Sequence, residues 1–361
     1  MTPVANEKEE GNVTATADPV SISTTSMQTA HSNCVFSAPT DLLLFEEAGS
    51  TIIGALPESG KFCTLAEDAT GLFLRSNPVS VDGHKLVYRR TTARGTDEIV
   101  IQNLLMGNQS VHQVNGYLES VFWLPDNQRF LYESFSETGS QVHLYDASAE
   151  TETLVLERNF LDLYGISPDA KWFVYSAESE GQYDLYIRQI FSDETLRITD
   201  DPSTPLAAVW SRDGMWIAIT AFSTQPEPMT YAMTDKVYLV NPFTEEEKAL
   251  PLIKSVYGLR WAPDHSKLAY YVVPNPTPES MQVCIFDLFT QENRCLPGDG
   301  RVPAWDPSGR YLAFRSFDVD RSCFALVIYD TSRDVYTETS KLSSKFCGSI
   351  VPHPSIWIQI K

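Results

Sequence analysis

The sequence lacks any run of about 18 apolar residues, and its N-terminus lacks the basic-then-apolar pattern of a signal peptide. We therefore expect no membrane insertion of the chain as given. It also contains no GxSxG, HExxH, Walker or GxGxxG motif, and its six histidines are scattered. There is no CxxC pair to indicate a zinc ribbon or a redox centre. These absences predict neither a catalytic residue nor a metal or cofactor site.

Positive charge is scarce, because 27 Lys and Arg residues face 47 Asp and Glu residues for a formal charge of −20. Such a field repels the phosphates that supply most nucleic-acid affinity. Nucleic acids and anionic membrane surfaces are therefore excluded as expected partners. An acidic solvated surface and a cationic partner both remain consistent with this charge.

Cysteines are few but even in number, with six in the chain. Cys284 and Cys295 lie symmetrically about a turn near Phe289 and Thr290, so two strands folded there would place them opposite one another at disulfide distance. The other connectivities stay open, with Cys34–Cys63 and Cys323–Cys347 as neighbours by sequence and buried free thiols as the alternative. A disulfide at Cys284–Cys295 indicates an extracytoplasmic protein, whether periplasmic, cell-surface or secreted.

Residues 1–33 contain 10 Ser or Thr, no aromatic residue and the charged cluster 7–10. This composition cannot bury enough apolar surface to order itself, so we predict a flexible tail or linker before a folded domain at 34–361. Such a tail fits a chain whose export signal or anchor is absent from the sequence given. An ordinary disordered N-terminus fits equally well.

The strongest positive signal is a repeated corner of the Pro-Asp or Asp-Gly type. The middle residues of six corners are at 82, 126, 169, 213, 264 and 308, with steps of 44, 43, 44, 51 and 44. Pro pre-sets one backbone dihedral, and Asp accepts hydrogen bonds from the amides that follow it. We therefore interpret the corner carboxylates as structural turn anchors rather than metal ligands: Asp82, Asp126, Asp169, Asp213 and Asp264.

An alternating, β-favouring strand follows each corner, as in KLVYRR, RFLYES and WFVYSA. Further strands such as QVHLYD and TLRIT complete each repeat, and no helical periodicity intervenes. Four strands in about 44 residues match one propeller blade. Counting the hairpins predicts about seven blades, with six or eight left open.

Half repeats occur at both ends of the folded domain. The segment 41–66 starts a blade, and the C-terminal FCGSIVP, with IWIQIK, is available to complete it. Closure of the ring in this way leaves no free sheet edge at the junction.

The segments GISPDAKWFVYSAESEGQYDLYIRQIFSDETLRITDDP and LAAVWSRDGMWIAIT resemble the Pro-Asp repeats of TolB-like propellers. The resemblance covers about residues 70–330 and implies an all-β, single β-propeller of about seven four-stranded blades. The chain departs from the pattern at Ser308, which replaces the corner Asp, and Gly follows only Asp82 and Asp213.

Two long inserts join second to third strands in neighbouring repeats, so both are expected on one face. Proline stiffens them, and stiff loops lose less entropy on binding. Loop-length drift without function is the alternative. The candidate binding residues are Pro226, Pro228, Tyr231, Pro274, Pro276 and Pro278.

We therefore expect a non-catalytic binding or assembly module with a protein partner, self-assembly included. Two other classes stay open. One is a propeller lyase or hydrolase acting at the central channel, and the other is a structural subunit of a surface assembly.

Overall fold

The computed structural model describes residues 34, 36, 40–47, 51–56, 61–71, 76–200, 203–223, 236–251, 255–273, 281–318, 323–336 and 354–361. Its regular elements are 27 β-strands, which form six four-stranded sheets and one three-stranded sheet, all antiparallel. These sheets are the seven blades of a β-propeller, so the predicted fold class and blade number are confirmed. The predicted tail at 1–33 lies outside the described residues. Within the described part of the chain, no helix is long and apolar enough to span a membrane.

The strand pairing assigns the following strands to blades 1 to 3. Blade 1 contains β27 (Pro354–Ile360), β1 (Thr40–Glu47), β2 (Thr51–Leu56) and β3 (Lys61–Ala66). Blade 2 contains β4 (Lys85–Thr91), β5 (Asp97–Asn103) and β6 (Gln109–Gln113), with isolated bridges from Gly71 and Val79 to β4 on its inner side. Blade 3 contains β7 (Tyr117–Trp123), β8 (Arg129–Ser136), β9 (Gly139–Asp146) and β10 (Thr151–Arg158).

The other four blades each use four consecutive strands. Blade 4 contains β11 (Leu161–Ile166), β12 (Trp172–Ser179), β13 (Gln182–Gln189) and β14 (Thr195–Arg197). Blade 5 contains β15 (Ser203–Trp210), β16 (Ile217–Ser223), β17 (Lys236–Val240) and β18 (Glu247–Ala249). Blade 6 contains β19 (Val256–Trp261), β20 (Lys267–Val272), β21 (Gln282–Asp287) and β22 (Asn293–Cys295). Blade 7 contains β23 (Asp299–Trp305), β24 (Tyr311–Asp318), β25 (Cys323–Asp330) and β26 (Val335–Tyr336).

The second strand of each blade is buried on both sides because a neighbouring blade covers each face. In β12 the first six residues are all buried. Aromatic rings fill the space between blades, and the largest fully buried side chains include Tyr88, Tyr132, Tyr175, Tyr270 and Phe314. Burying an apolar side chain of this size stabilises the fold by roughly 1.5–3 kcal/mol. The core is therefore distributed over the seams between blades.

The ring is closed by pairing the two ends of the folded domain. Strand β27 pairs antiparallel with β1, and Leu43 lies opposite Trp357 while Thr40 lies opposite Ile360. The predicted closing role of IWIQIK is thus confirmed. The segment FCGSIVP, residues 346–352, lies outside the described residues.

Two disulfides are present among the described residues, Cys34–Cys63 and Cys284–Cys295. Cys284 and Cys295 are Cα partners across β21 and β22, as their placement about the turn predicts. Cys347 lies outside the described residues. Oxidation of Cys284 and Cys295 in the purified protein stays a prediction, which mass mapping without reduction tests.

Candidate functional site

The corner carboxylates hold the turns between first and second strands. Asp213 Oδ1 accepts hydrogen bonds from Ser211 Oγ at 2.5 Å and from the amide of Met215 at 3.0 Å. The amide of Trp216 in turn donates to Ser211 Oγ at 2.9 Å. Partial burial raises the pKa of Asp213, but these hydrogen bonds outweigh burial and lower it overall. The same Ser-x-Asp arrangement recurs at Ser80–Asp82 and Ser167–Asp169.

The remaining predicted corners use related hydrogen bonds. Asp126 accepts from the amide of Gln128 at 2.9 Å, and Asp264 accepts from the amide of Ser266 at 3.1 Å. At the sixth corner the order is inverted, because Asp306 accepts from the amides of Ser308 at 3.0 Å and Tyr311 at 2.6 Å. The departure at Ser308 is therefore an exchange of Asp and Ser two positions apart.

A second set of turn anchors was missed by the sequence analysis. Asp287 Oδ1 accepts from the amides of Phe289 and Thr290, both at 3.0 Å, in the hairpin between third and fourth strands. The signal was an Asn or Asp at the end of the third strand, as in EIVIQN and QVHLYD. The equivalent acceptors are Asn103, Asp146, Asn241 and Asp330.

The corners surround a cavity of about 530 Å³ at one end of the central channel, which we call the mouth cavity. Six of the seven blades contribute residues to it. Its walls carry the indole side chains of Trp210, Trp261, Trp305 and Trp357. Its rim includes three corner prolines, Pro168, Pro263 and Pro307. The mouth cavity is thus a preformed, aromatic and proline-rimmed concave site.

Three tryptophans donate their indole N–H groups to the preceding blade. Trp123 Nε1 lies 3.0 Å from the Pro78 carbonyl, Trp261 Nε1 lies 2.9 Å from that of Val209, and Trp305 Nε1 lies 3.2 Å from that of Arg260.

Trp210 and Trp357 differ from these three tryptophans. Their residues are only 8% and 9% exposed, and the Nε1 atom of each has no acceptor among the described residues. A buried donor without a partner is destabilising. Both nitrogens are themselves buried, so these unpaired donors lie within the packed wall and are not open to the mouth cavity.

Basic side chains line this cavity in an otherwise acidic chain. Arg212, Arg260 and Lys361 are the basic residues among those lining it. Asp306 is the only Asp or Glu among its described lining residues, and the corner hydrogen bonds already engage its side chain. No histidine lies among its described lining residues. The mouth cavity therefore favours an anionic or hydrogen-bond-accepting ligand.

Glu152 of β10 is held in its charged form at the outer seam between blades 2 and 3. Its carboxylate oxygens lie 2.6 Å from His112 Nε2 and 3.1 Å from His143 Nδ1, and Tyr132 also donates to it. The hydrogen bond from His112 is the largest influence, and together with the adjacent His143 it lowers the pKa of Glu152 well below its usual range, although partial burial opposes the shift.

Glu133 of β8 has the opposite environment at the seam between blades 3 and 4. Burial raises its pKa to about 8, although the amide of Leu163 and the hydroxyl of Ser120 donate to it, both at 3.0 Å. Neither glutamate lines the mouth cavity. Across the part of the chain that the structure describes, no cluster of three or more His, Cys, Asp or Glu residues could hold a metal.

The predicted binding loops lie outside the described residues, including Pro226, Pro228, Tyr231, Pro274, Pro276 and Pro278. The strand ends that they join, between β16 and β17 and between β20 and β21, lie at the opposite end of the second strand from the corners. This face, which we call the loop face, is thus opposite the mouth cavity. Binding by these residues stays a prediction.

No protein-family model matches the chain, and no curated protein matches it in sequence. Solved structures do match it in fold. TolB from Acinetobacter baumannii is 16% identical, with 88% of this chain and 66% of that chain covered and a TM-score of 0.50. The fold is a TolB-like β-propeller. The chain spans less than two thirds of that TolB chain.

Two further propellers show how widely the fold is shared. An oligogalacturonate lyase from Vibrio parahaemolyticus is 14% identical over 83% of this chain and 86% of that chain, with a TM-score of 0.59. The propeller domain of the Trilobed protease from Pyrococcus furiosus is 15% identical over 84% and 97%, with a TM-score of 0.61. That propeller is described as having an open velcro topology, whereas β27 closes the present ring. At these identities the likeness establishes the fold alone.

Proposed function

We propose that this protein is a non-catalytic, extracytoplasmic binding module that takes a segment of a protein partner into the mouth cavity. The observation that carries the proposal is the preformed cavity of about 530 Å³, walled by four tryptophans and lined by Arg212, Arg260 and Lys361. Arginine and lysine side chains donate hydrogen bonds to carbonyl and carboxylate oxygens, both of which an extended segment can offer. The tryptophans also supply large, rigid contact surfaces.

The basic residues of the mouth cavity indicate the charge of the segment that it binds. Arg212, Arg260 and Lys361 line it, and the chain as a whole carries −20. A segment bearing Asp or Glu side chains is attracted locally, and it is repelled by the rest of the surface. We therefore propose that the bound segment is acidic, so that it binds at the mouth cavity and not on the acidic surface around it.

The two disulfides support the proposed extracytoplasmic location, since such bonds persist mainly in oxidising compartments. The fold itself does not choose between binding and catalysis, because TolB, a lyase and a protease propeller share it. General acid–base catalysis requires a positioned titratable side chain, and the one Asp or Glu among the described lining residues already accepts the corner hydrogen bonds. The lyase or hydrolase alternative is supported only by likeness of fold.

The test uses two valines of equal exposure. Val81 lines the mouth cavity and Val335 lies in β26 of blade 7, and each is 47% exposed. Val81→Trp should obstruct the mouth without disturbing the core, and Val335→Trp is the matched control. The partner is captured with the wild-type chain from the native source, identified, purified and titrated against all three proteins by calorimetry.

We expect Val81→Trp to weaken binding at least about tenfold, which corresponds to about 1.4 kcal/mol, and Val335→Trp to leave it unchanged. Equal affinity for wild type and Val81→Trp would exclude the mouth cavity as the binding site. The proline-rich loops of the loop face would then be the site to test by the same design.

A further inference from the structure

Phenylalanines occupy equivalent positions in the hairpins between third and fourth strands of blades 4, 5 and 6. Each phenylalanine lies two positions after the residue that ends the third strand, or that directly follows it in blade 5: Phe191, Phe243 and Phe289. In blade 4 the ring of Phe191 packs beneath the guanidinium of Arg129 on blade 3, at 4.8 Å. In blade 5 the ring of Phe243 lies 5.8 Å from that of Trp172 on blade 4 and 6.5 Å from that of Trp210. These two phenylalanines thus contact the preceding blade at the seam while remaining 58% and 52% exposed.

Blade 6 has the same elements in a different arrangement. The residues equivalent to Trp172 and Trp210 are Trp216 and Trp261, and both line a groove of about 430 Å³ at the seam of blades 5 and 6. Phe289 does not enter this groove, because its side chain is 93% exposed. Leu288, its neighbour in the hairpin, lines the groove instead. The groove, which we call the socket, is therefore walled by two tryptophans, with Lys248 Nζ 4.0 Å from the Trp216 ring centroid. The exposed ring of Phe289 follows Leu288 in the hairpin that borders it.

We propose that this socket receives Phe289 of a second copy of the chain, in a reciprocal dimer. The occupant is indicated by the chain itself, because the equivalent tryptophan pair at the seam of blades 4 and 5 holds a phenylalanine. Leu288 and Gln291 of the Phe289 hairpin line the socket, so a twofold axis beside this hairpin can place each Phe289 against the socket of the other copy. The exposed Met215, next to Trp216 in sequence, adds apolar area beside the socket.

Charge determines the conditions under which the dimer forms. Each copy carries −20, so two copies repel one another at low ionic strength. Salt screens this repulsion, whereas apolar contacts do not weaken with salt. The reciprocal dimer should therefore tighten as salt is added, unlike an assembly held by ion pairs. This inference goes beyond the proposed function, because binding at the mouth does not require it.

The experiment is sedimentation equilibrium of the full chain from 1 to about 200 μM, at about 50 and 500 mM salt. Phe289→Ala removes the ring, and Ala249→Trp fills the socket from the exposed outer strand β18. Leu105→Ala is the control, since Leu105 occupies the equivalent hairpin position of blade 2 and is 42% exposed. Circular dichroism melts of every variant verify folding, so loss of association is not confused with unfolding.

We expect wild type and Leu105→Ala to dimerise, and each of the other two variants to weaken dimerisation at least about tenfold. A mixture of Phe289→Ala with Ala249→Trp restores one of the two contacts, so it should associate more tightly than either variant alone. A monomeric wild type at the highest concentration and salt would overturn the proposal. A dimer that Phe289→Ala leaves intact would also overturn it. The affinity of Val81→Trp for the captured partner tests the mouth cavity separately.

Discussion

The two halves of the ring differ in whether glutamates lie at the seams between blades. In blades 2 to 4, Glu152 lies beside His112 and Glu133 accepts from Leu163, in addition to the aromatic bond from Trp123 to the Pro78 carbonyl. In blades 5 to 7 and blade 1, which we call the aromatic half, the described seams hold aromatic contacts such as the bond from Trp261 to the Val209 carbonyl and the stacking of Tyr311 on Trp357 at 6.3 Å. We therefore expect the two glutamates to make the seams of blades 2 to 4 sensitive to pH. The aromatic half carries the four tryptophans of the mouth cavity, the socket and the closure of the ring.

Loss of the closing strand should have the largest effect. Deleting 354–361 removes β27 and with it the buried Trp357, Ile358 and Ile360. Each such side chain is worth roughly 1.5–3 kcal/mol, and the sum is comparable with the whole stability of an ordinary domain, about 5–15 kcal/mol. We expect aggregation or a much lower thermal midpoint, measured by calorimetry. Deleting 1–33 is the control and should leave the transition nearly unchanged.

If the chain without 354–361 stays monomeric and its thermal transition is unchanged, the ring closes without β27. The account of the aromatic half would then be wrong at its junction with blade 1. The deletion test extends naturally to 346–361, which also removes the segment FCGSIVP.

Glu133→Gln should have the next largest effect, and it acts on the other half of the ring. The pKa of Glu133 is raised by burial to about 8 from an ordinary value of 4.5, so the folded state retains a proton that the unfolded state loses. Stability of the wild type must then fall as pH rises from about 4.5 to about 8. The variant does not titrate, so its advantage should grow over this window to the order of 4 kcal/mol. Urea melts at several pH values measure it, and a pH-independent difference would contradict the buried, protonated state.

Glu152→Gln should have a smaller effect of the opposite sign. The pKa of Glu152 is lowered, chiefly by the hydrogen bond from His112, so its contribution is complete above the ordinary value of 4.5 and lost as pH falls through the folded value. We expect a loss of about 1–2 kcal/mol near pH 6 that shrinks below about pH 4.5. Glu157→Gln, on the same strand and exposed, is the control. A loss that persists unchanged at pH 3 would show that shape, and not charge, matters at this seam.

The smallest effect should come from the exposed ion pair of the aromatic half. Arg294 and Asp334 join blades 6 and 7, but their side chains are 54% and 53% exposed. Solvent screens such pairs, so their contribution is small. Arg294→Ala should leave the thermal midpoint within the error of the measurement at all pH values. A clear loss would erase the contrast between the two halves.

Much of the fold could be predicted from the sequence because the repeat is local. The steps between corners fix the blade length, and the residue chemistry of Asp213 and its equivalents follows from turn geometry. The exchange at Asp306 and Ser308 could not be predicted, since either residue serves when its partner is two positions away.

The candidate site was harder to predict than the fold. Trp210 and Trp261 look alike in sequence, yet only Trp261 finds a carbonyl in the preceding blade. That difference depends on distances between blades, which no single repeat encodes. The same holds for Phe243 and Phe289, which share a sequence position but differ in their packing at the seams. The long proline-rich loops drew attention to the loop face, whereas the described concave site lies at the other end of the channel.

Hydrogen–deuterium exchange of the chain with and without its captured partner tests the binding face most directly. The account predicts slower exchange on binding at 79–84, 209–213, 260–263 and 357–361, which contribute the walls and rim of the mouth cavity. It predicts no change at 136–139 on the loop face, or at the connections 224–235 and 274–280. Protection confined to those loop-face connections, with the mouth segments unchanged, would contradict the central claim that the partner enters the mouth cavity.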